Sequence, residues 1–112
     1  GFATHTNEFE RVEHAIKTIE NSKGQIKTRD IAHDVCLGIK QFERTFSKYV
    51  GVNPKKFASI IRFQNVIQIN SKDNRSLSQI AVDNGYYDQS HFIHDFKSLT
   101  GLTPKAFFNA RK

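Results

Sequence analysis

Two clusters of polar side chains carry the chemistry that this sequence offers. The first face holds Lys40, Arg44 and Ser47, flanked by Glu43 and Lys48. The second holds Ser90, His94 and Lys97, flanked by Gln89, His91 and Ile93. Forked cations, amides and hydroxyls are the groups that read base-pair edges in a major groove. A guanidinium such as that of Arg44 fits guanine O6 and N7 with two hydrogen bonds, and a carboxylate such as that of Glu43 accepts from cytosine N4. An amide such as that of Gln89 pairs with adenine. A merely solvated face would also be polar, so the elements that position these groups must decide between the two readings.

Other chemistries find less support. His91-x2-His94-Asp95 could set two imidazoles on one helix turn, a possible zinc pair, but no third ligand is evident and none is expected to bind. Cys36 is the single cysteine, with no base or orienting partner in any sequence motif. It cannot form an internal disulfide. No Gly-rich phosphate loop is present. The chain is therefore expected not to be an enzyme and to carry no cofactor or metal.

Hydrophobic periodicity makes the elements helices. Phe9, Val12, Ile16 and Ile19 follow a 3.6-residue period, which predicts a helix over 7–23, capped by Thr6 or Asn7 and closed by Gly24 at C′. Thr28 starts a short helix, Arg29–Val35, with Ile31, Ala32 and Val35 inward. Ile39–Val50 is the next, with Phe42, Phe46 and Tyr49 on its inner face and Gly51 as its stop. Asn53-Pro54 is a cap followed by proline at N1. It opens a helix to about Ile69 whose sixteen residues would span roughly 24 Å. Phe57, Ile60, Ile61, Val66, Ile67 and Ile69 form its apolar face, and 70–75 reads as a loop. Ser76-Leu77-Ser78-Gln79 has the form of a capping box and opens a helix to Asp83. Asp88 caps another to Thr100, with Phe92, Phe96 and Leu99 inward, and Thr103-Pro104 starts the last. No long stretch alternates with period two, so the fold class is all-α.

The chain also repeats itself. Phe42, Phe46, Gly51, Pro54 and Phe57 recur fifty residues later as Phe92, Phe96, Gly101, Pro104 and Phe107. Each copy follows Ile-Ala-x-Asp, at 31–34 and at 80–83. A Gly and a Pro at fixed offsets coincide by chance at about 0.07 × 0.05, before any Phe is counted. Each copy is a short helix, a tight turn, a longer helix and a glycine stop, the outline of a helix-turn-helix. Gly38 and Gly85 are expected to supply the positive φ of the two turns.

Charge is distributed unevenly. The 112 residues carry a net +6, yet residues 1–34 have five basic and six acidic groups while 35–112 have twelve and five. A local basic field attracts polyanions. No apolar run approaches eighteen residues, which excludes a transmembrane helix. No secretory leader is expected, and the apolar helix faces are needed for a core rather than for a membrane surface. A lone cysteine suits a reducing compartment. The chain has no Met and opens on Gly1, so it is expected to be a piece of a longer protein.

On these residues the chain resembles the DNA-binding domain of the AraC/XylS transcription regulators. The resemblance covers about residues 20–108 and rests on Ile31-Ala32, Phe42-x-Arg44-x-Phe46, Gly51-x2-Pro54-x2-Phe57 and Arg62. The second half adds Leu77-x2-Ile80-Ala81, Asn84-Gly85-Tyr86, Asp88-Gln89-Ser90-x-Phe92-x3-Phe96-Lys97 and Gly101-x-Thr103-Pro104. It implies seven helices and two helix-turn-helix subdomains joined by a linker helix: 1–53, 54–70 and 71–112. It implies base reading by Lys40, Glu43 and Arg44 in the first unit, and by Gln89, Ser90, His91 and His94 in the second. Phosphate contacts are expected from Lys48, Lys55, Lys56, Arg62, Lys97 and Lys105.

The expected partners are double-stranded DNA, RNA polymerase and a separate N-terminal effector-binding or dimerisation domain, in a bacterial cytoplasm. Three positions depart from the family pattern. Cys36 stands where the first turn usually has Gly, Val66 where the linker helix usually has a small Ala, and His94 where Arg is common. The alternative reading is a helical protein-interaction module that does not bind DNA.

Overall fold

The computed structural model describes residues 7–68 and 75–110. Among them are seven helices and no strand: α1 (Glu8–Asn21), α2 (Thr28–Asp34), α3 (Ile39–Val50), α4 (Pro54–Ile67), α5 (Leu77–Asp83), α6 (Gln89–Thr100) and α7 (Pro104–Ala110). The chain divides into two compact units, one ending at Ile61 and the other beginning at Arg62. The division falls inside α4. The loop expected over 70–75 lies almost wholly outside the described residues.

Local chemistry sets the helix starts. Asn7 Oδ1 accepts from the Glu10 amide at 2.8 Å, while its Nδ2 donates to Glu10 Oε1 at 3.3 Å, a reciprocal cap of α1. Asn53 and Thr103 accept from the amides of Lys56 and Ala106, at 2.8 and 3.2 Å. Pro54 and Pro104 then occupy N1, where a missing N–H costs nothing. Ser76 caps α5 through the Gln79 amide, and Asp88 caps α6 through the His91 amide. Thr28 is the first residue of α2 rather than its cap; Lys27 precedes it with no side-chain cap.

The helix ends correct two expectations. α1, α2 and α5 each finish in the same double bond, with C″ N–H to C3 C=O and C′ N–H to C2 C=O. In α1 these are Gly24 to Ile19 and Lys23 to Glu20, so Lys23, not Gly24, takes C′, with φ 57°. In α2 they are Leu37 to Ala32 and Cys36 to His33; in α5, Tyr86 to Ala81 and Gly85 to Val82. The left-handed residue of the first turn is therefore Cys36, φ 61°, matching Gly85, φ 84°. Gly38 has φ −67° and serves as the N-cap of α3. Sequence order alone favoured the nearer glycine to α3; the hydrogen-bond register counts from the end of α2.

Each unit has its own core. In the first, Val12, Ala15 and Ile19 of α1 meet Ile31, Ala32, Val35, Phe42, Phe46 and Ala58. Phe46 lies 5.7 Å from Phe42 and 5.6 Å from Phe57, ring centre to ring centre. In the second, Val66, Ile80, Ala81, Tyr86, Phe92 and Phe96 are enclosed by Phe63, Ile67, Leu77, Phe107 and Phe108. Phe96 is its hub, with Phe63, Phe92, Phe107 and Phe108 all within 6.0 Å. Small Ala32 and Ala81, both essentially inaccessible, let each short helix approach its partner.

Two apolar residues expected inside are outside. Phe9 is 56% and Tyr49 44% exposed, and they meet each other edge-on at 6.1 Å. On α3, Thr45 is buried together with Phe42 and Phe46. No helix among the described residues is long and apolar enough to cross a membrane.

Candidate nucleic-acid interface

The amphipathic pattern of α3 separates its two faces cleanly. Phe42 and Phe46 are buried, while Lys40, Glu43 and Arg44 are exposed and Ser47 is half-buried. Lys40, Glu43 and Arg44 have no side-chain partner among the described residues. Ile39, the first residue of α3, is also 43% exposed, an apolar side chain beside the polar three.

On α6, Phe92 and Phe96 are fully buried and Leu99 is half-buried, as its period requires. Gln89, Ser90, His91 and His94 are all exposed, with Lys97 on the following turn. Two of these side chains are held locally. Gln89 Oε1 accepts from the Ser78 hydroxyl on α5 at 2.8 Å. His91 Nδ1 accepts from the Tyr87 amide at 3.1 Å, and its ring meets Tyr86 edge-on at 5.3 Å. A neutral imidazole accepting at Nδ1 carries its proton on Nε2, so His91 is held as a donor at its free nitrogen. Tyr87, 89% exposed, stands beside them.

The candidate phosphate ligands fall into two groups. Lys48, Lys55, Lys56, Lys97 and Lys105 are exposed. Lys48 lies 3.6 Å from Glu8 and over the ring of Tyr49 at 5.4 Å. Arg62 is set apart from them by its surroundings. Its side chain is only 12% exposed, its Nη2 is 3.8 Å from Asp95 Oδ2, and its guanidinium lies 5.2 Å from the centre of the Tyr86 ring. It braces the second unit from within. Its place on an otherwise polar helix edge gave no signal of this, because the carboxylate that holds it is thirty-three residues away.

Tyr86 feels the same enclosure. Burial pushes its hydroxyl up to about 12, and the charge of Asp95 adds to that while Arg62 opposes it. It therefore stays neutral throughout the physiological range. Among the described residues no three His, Cys, Asp or Glu side chains come together as a metal site. Cys36 is exposed at its turn.

A helix-turn-helix domain family matches residues 31–110, which takes in both turns and both longer helices. The chain belongs to this family, as an AraC/XylS-type domain. It is similar to the HTH-type transcriptional regulator ArgR of Pseudomonas aeruginosa, 27% identical over 92 residues, covering 82% of this chain and 28% of that protein. The chain thus spans under a third of that curated relative's length. Among solved structures it resembles an AraC-type DNA-binding domain-containing regulator from Chromobacterium violaceum, 25% identical over 88% of each chain, with a TM-score of 0.73. The DNA-binding domain of AdpA, solved with a target DNA, shares the fold at 18% identity and a TM-score of 0.71, over 92% of this chain and 90% of that one.

Two of the positions singled out from the sequence, Cys36 and Val66, lie in the first turn and in α4. Cys36 takes the left-handed position without glycine's freedom there. Val66 is completely buried in the second core, so the larger side chain is accommodated within the packing.

Proposed function

We propose that this domain binds double-stranded DNA sequence-specifically to regulate transcription, with α3 and α6 entering successive major grooves. The observation that carries this reading is the duplicated face. Twice, a helix fixed by two buried phenylalanines exposes polar side chains of base-reading type. Lys40, Glu43 and Arg44 would read one groove; Gln89, Ser90, His91 and His94 would read the next. Lys48, Lys55, Lys56, Lys97 and Lys105 would meet phosphates, a role that leaves out Arg62. The subdomain division 1–53, 54–70 and 71–112 makes α4 the spacer. Its fourteen helical residues rise roughly 21 Å.

In the whole protein, we further propose an effector-binding or dimerisation domain, contact with RNA polymerase, and a place in the cytoplasm. The short share of the curated relative's length supports a further domain.

The test is a selection of bound duplexes from a random pool, followed by salt titration on the selected site. Two short motifs about one helical turn apart are expected. With about five to seven phosphates neutralised, log K should fall against log[salt] with a slope of roughly −4.5 to −6. Binding that is absent or insensitive to salt would favour the helical protein-interaction module instead.

A further inference from the structure

We propose that Ser78, on α5 and outside the reading helix, is a positioning residue that sets the base preference of Gln89. This rests on the reading that α6 probes a major groove. The Ser78 hydroxyl donates to Gln89 Oε1 at 2.8 Å, and both side chains are exposed. An amide is nearly symmetric in shape but opposite in hydrogen bonding at its two ends. Left free, the side chain changes rotamer and can offer its NH2 end alone to the N7 or O6 acceptor of guanine.

The Ser78 hydroxyl removes that freedom. By donating to Oε1 it holds the side chain in one rotamer, with one lone pair of Oε1 and the NH2 group left to meet a base. The remaining lone pair and the NH2 group together match adenine, which offers N6–H as donor and N7 as acceptor. Guanine offers O6 and N7, both acceptors, so O6 would face the fixed Oε1 with nothing to donate. A locked amide therefore selects adenine over guanine, and an unlocked one does so less.

The first unit has no counterpart. At the repeat offset of fifty, the residue matching Gln89 is Ile39, which has no polar group to orient. The device thus belongs to the second unit alone. His91 stands beside it with Nδ1 engaged by the Tyr87 amide, so two neighbouring readers on α6 are ordered before DNA arrives.

The experiment compares wild type, Ser78→Ala, Ser78→Thr and Gln89→Ala on duplexes carrying each of the four bases at every position of the selected site. Ser78→Ala should lower the adenine-over-guanine preference at one base pair by roughly 3- to 10-fold and leave the other positions unchanged. Ser78→Thr, which keeps the hydroxyl, should retain the preference. Adding Ser78→Ala to Gln89→Ala should change nothing further. A melting temperature close to wild type would confirm that the Ala variant is folded.

A preference that is intact in folded Ser78→Ala overturns the proposal while leaving groove reading standing. Equal losses at every position would make Ser78 a general contact and overturn it too. A wild-type chain with no preference at any position defeats the groove reading, and this inference with it.

Discussion

The two helix-turn-helix units solve one packing problem with different materials. Each must hold a short helix, a tight turn and a reading helix against the helix before them. In both, an arginine from that preceding helix braces the turn. In the first unit, Arg11 of α1 donates to the backbone carbonyls of Val35 and, at 3.4 Å, Cys36. In the second, Arg62 of α4 lies over the Tyr86 ring and faces Asp95. Thr45 occupies the repeat position of Asp95, fifty residues earlier, and it is buried without a charge. The first solution engages backbone carbonyls at the turn; the second encloses the guanidinium against an aromatic ring and a carboxylate. Removing one partner of an enclosed ion pair is expensive, whereas a hydrogen bond to a backbone carbonyl contributes less.

The sharpest way to break this comparison is Asp95→Ala. It should cost about 3–5 kcal/mol in urea unfolding, because it removes the carboxylate that faces the enclosed Arg62 guanidinium. Thr45→Ala at the matching position should cost far less. Equal costs would mean that the Arg62–Asp95 pair is effectively solvated.

The next effect is alkaline. Free tyrosine titrates near 10 and Tyr86 is held at about 12. Its contribution is complete below pH 10 and is lost as pH rises through 12, since the unfolded chain releases the proton first. The loss should approach about 2–3 kcal/mol and should vanish in Tyr86→Phe, measured as unfolding free energy from pH 9 to 12. The first unit has Leu37 at the equivalent turn position and no such dependence to offer.

On DNA the comparison runs the other way. Arg44→Ala should cost about 1–3 kcal/mol on the selected site and relax one base position, because a fork contributes two bonds to guanine. His94→Ala should cost less, since an imidazole offers one. An equal loss on selected and random duplexes would reassign Arg44 to a phosphate.

The smallest effect concerns the turns themselves. Cys36→Gly should raise stability by about 1 kcal/mol by removing the Cβ from a left-handed residue, read as a higher denaturation midpoint. The same residue type already stands at Gly85. A loss of stability would show that the Cys36 side chain contributes more than its backbone costs.

Much of the site was legible beforehand. Phe42, Phe46, Phe92 and Phe96 repeat at i and i+4, and that spacing alone places Lys40, Arg44, Ser90 and His94 on the far side. What misled was any judgement needing a neighbour distant in sequence. Tyr49 has the right period but lies one turn beyond the core, and Phe9 lies at the same edge. Arg62 reads as a basic surface residue until Asp95 is seen beside it. The sequence contains Ser78 and Gln89 but no sign that they touch.

What the chain settled by itself is periodic and local: helix faces, caps, stops and the duplication. These depend on residues within a turn or two, where backbone geometry fixes the distances. Tertiary structure alone decided which glycine-like position carries the positive φ, which cation is enclosed and which reader is held in place. Those outcomes depend on where a second helix stops and what it brings within about 3 Å, which no single stretch of sequence encodes.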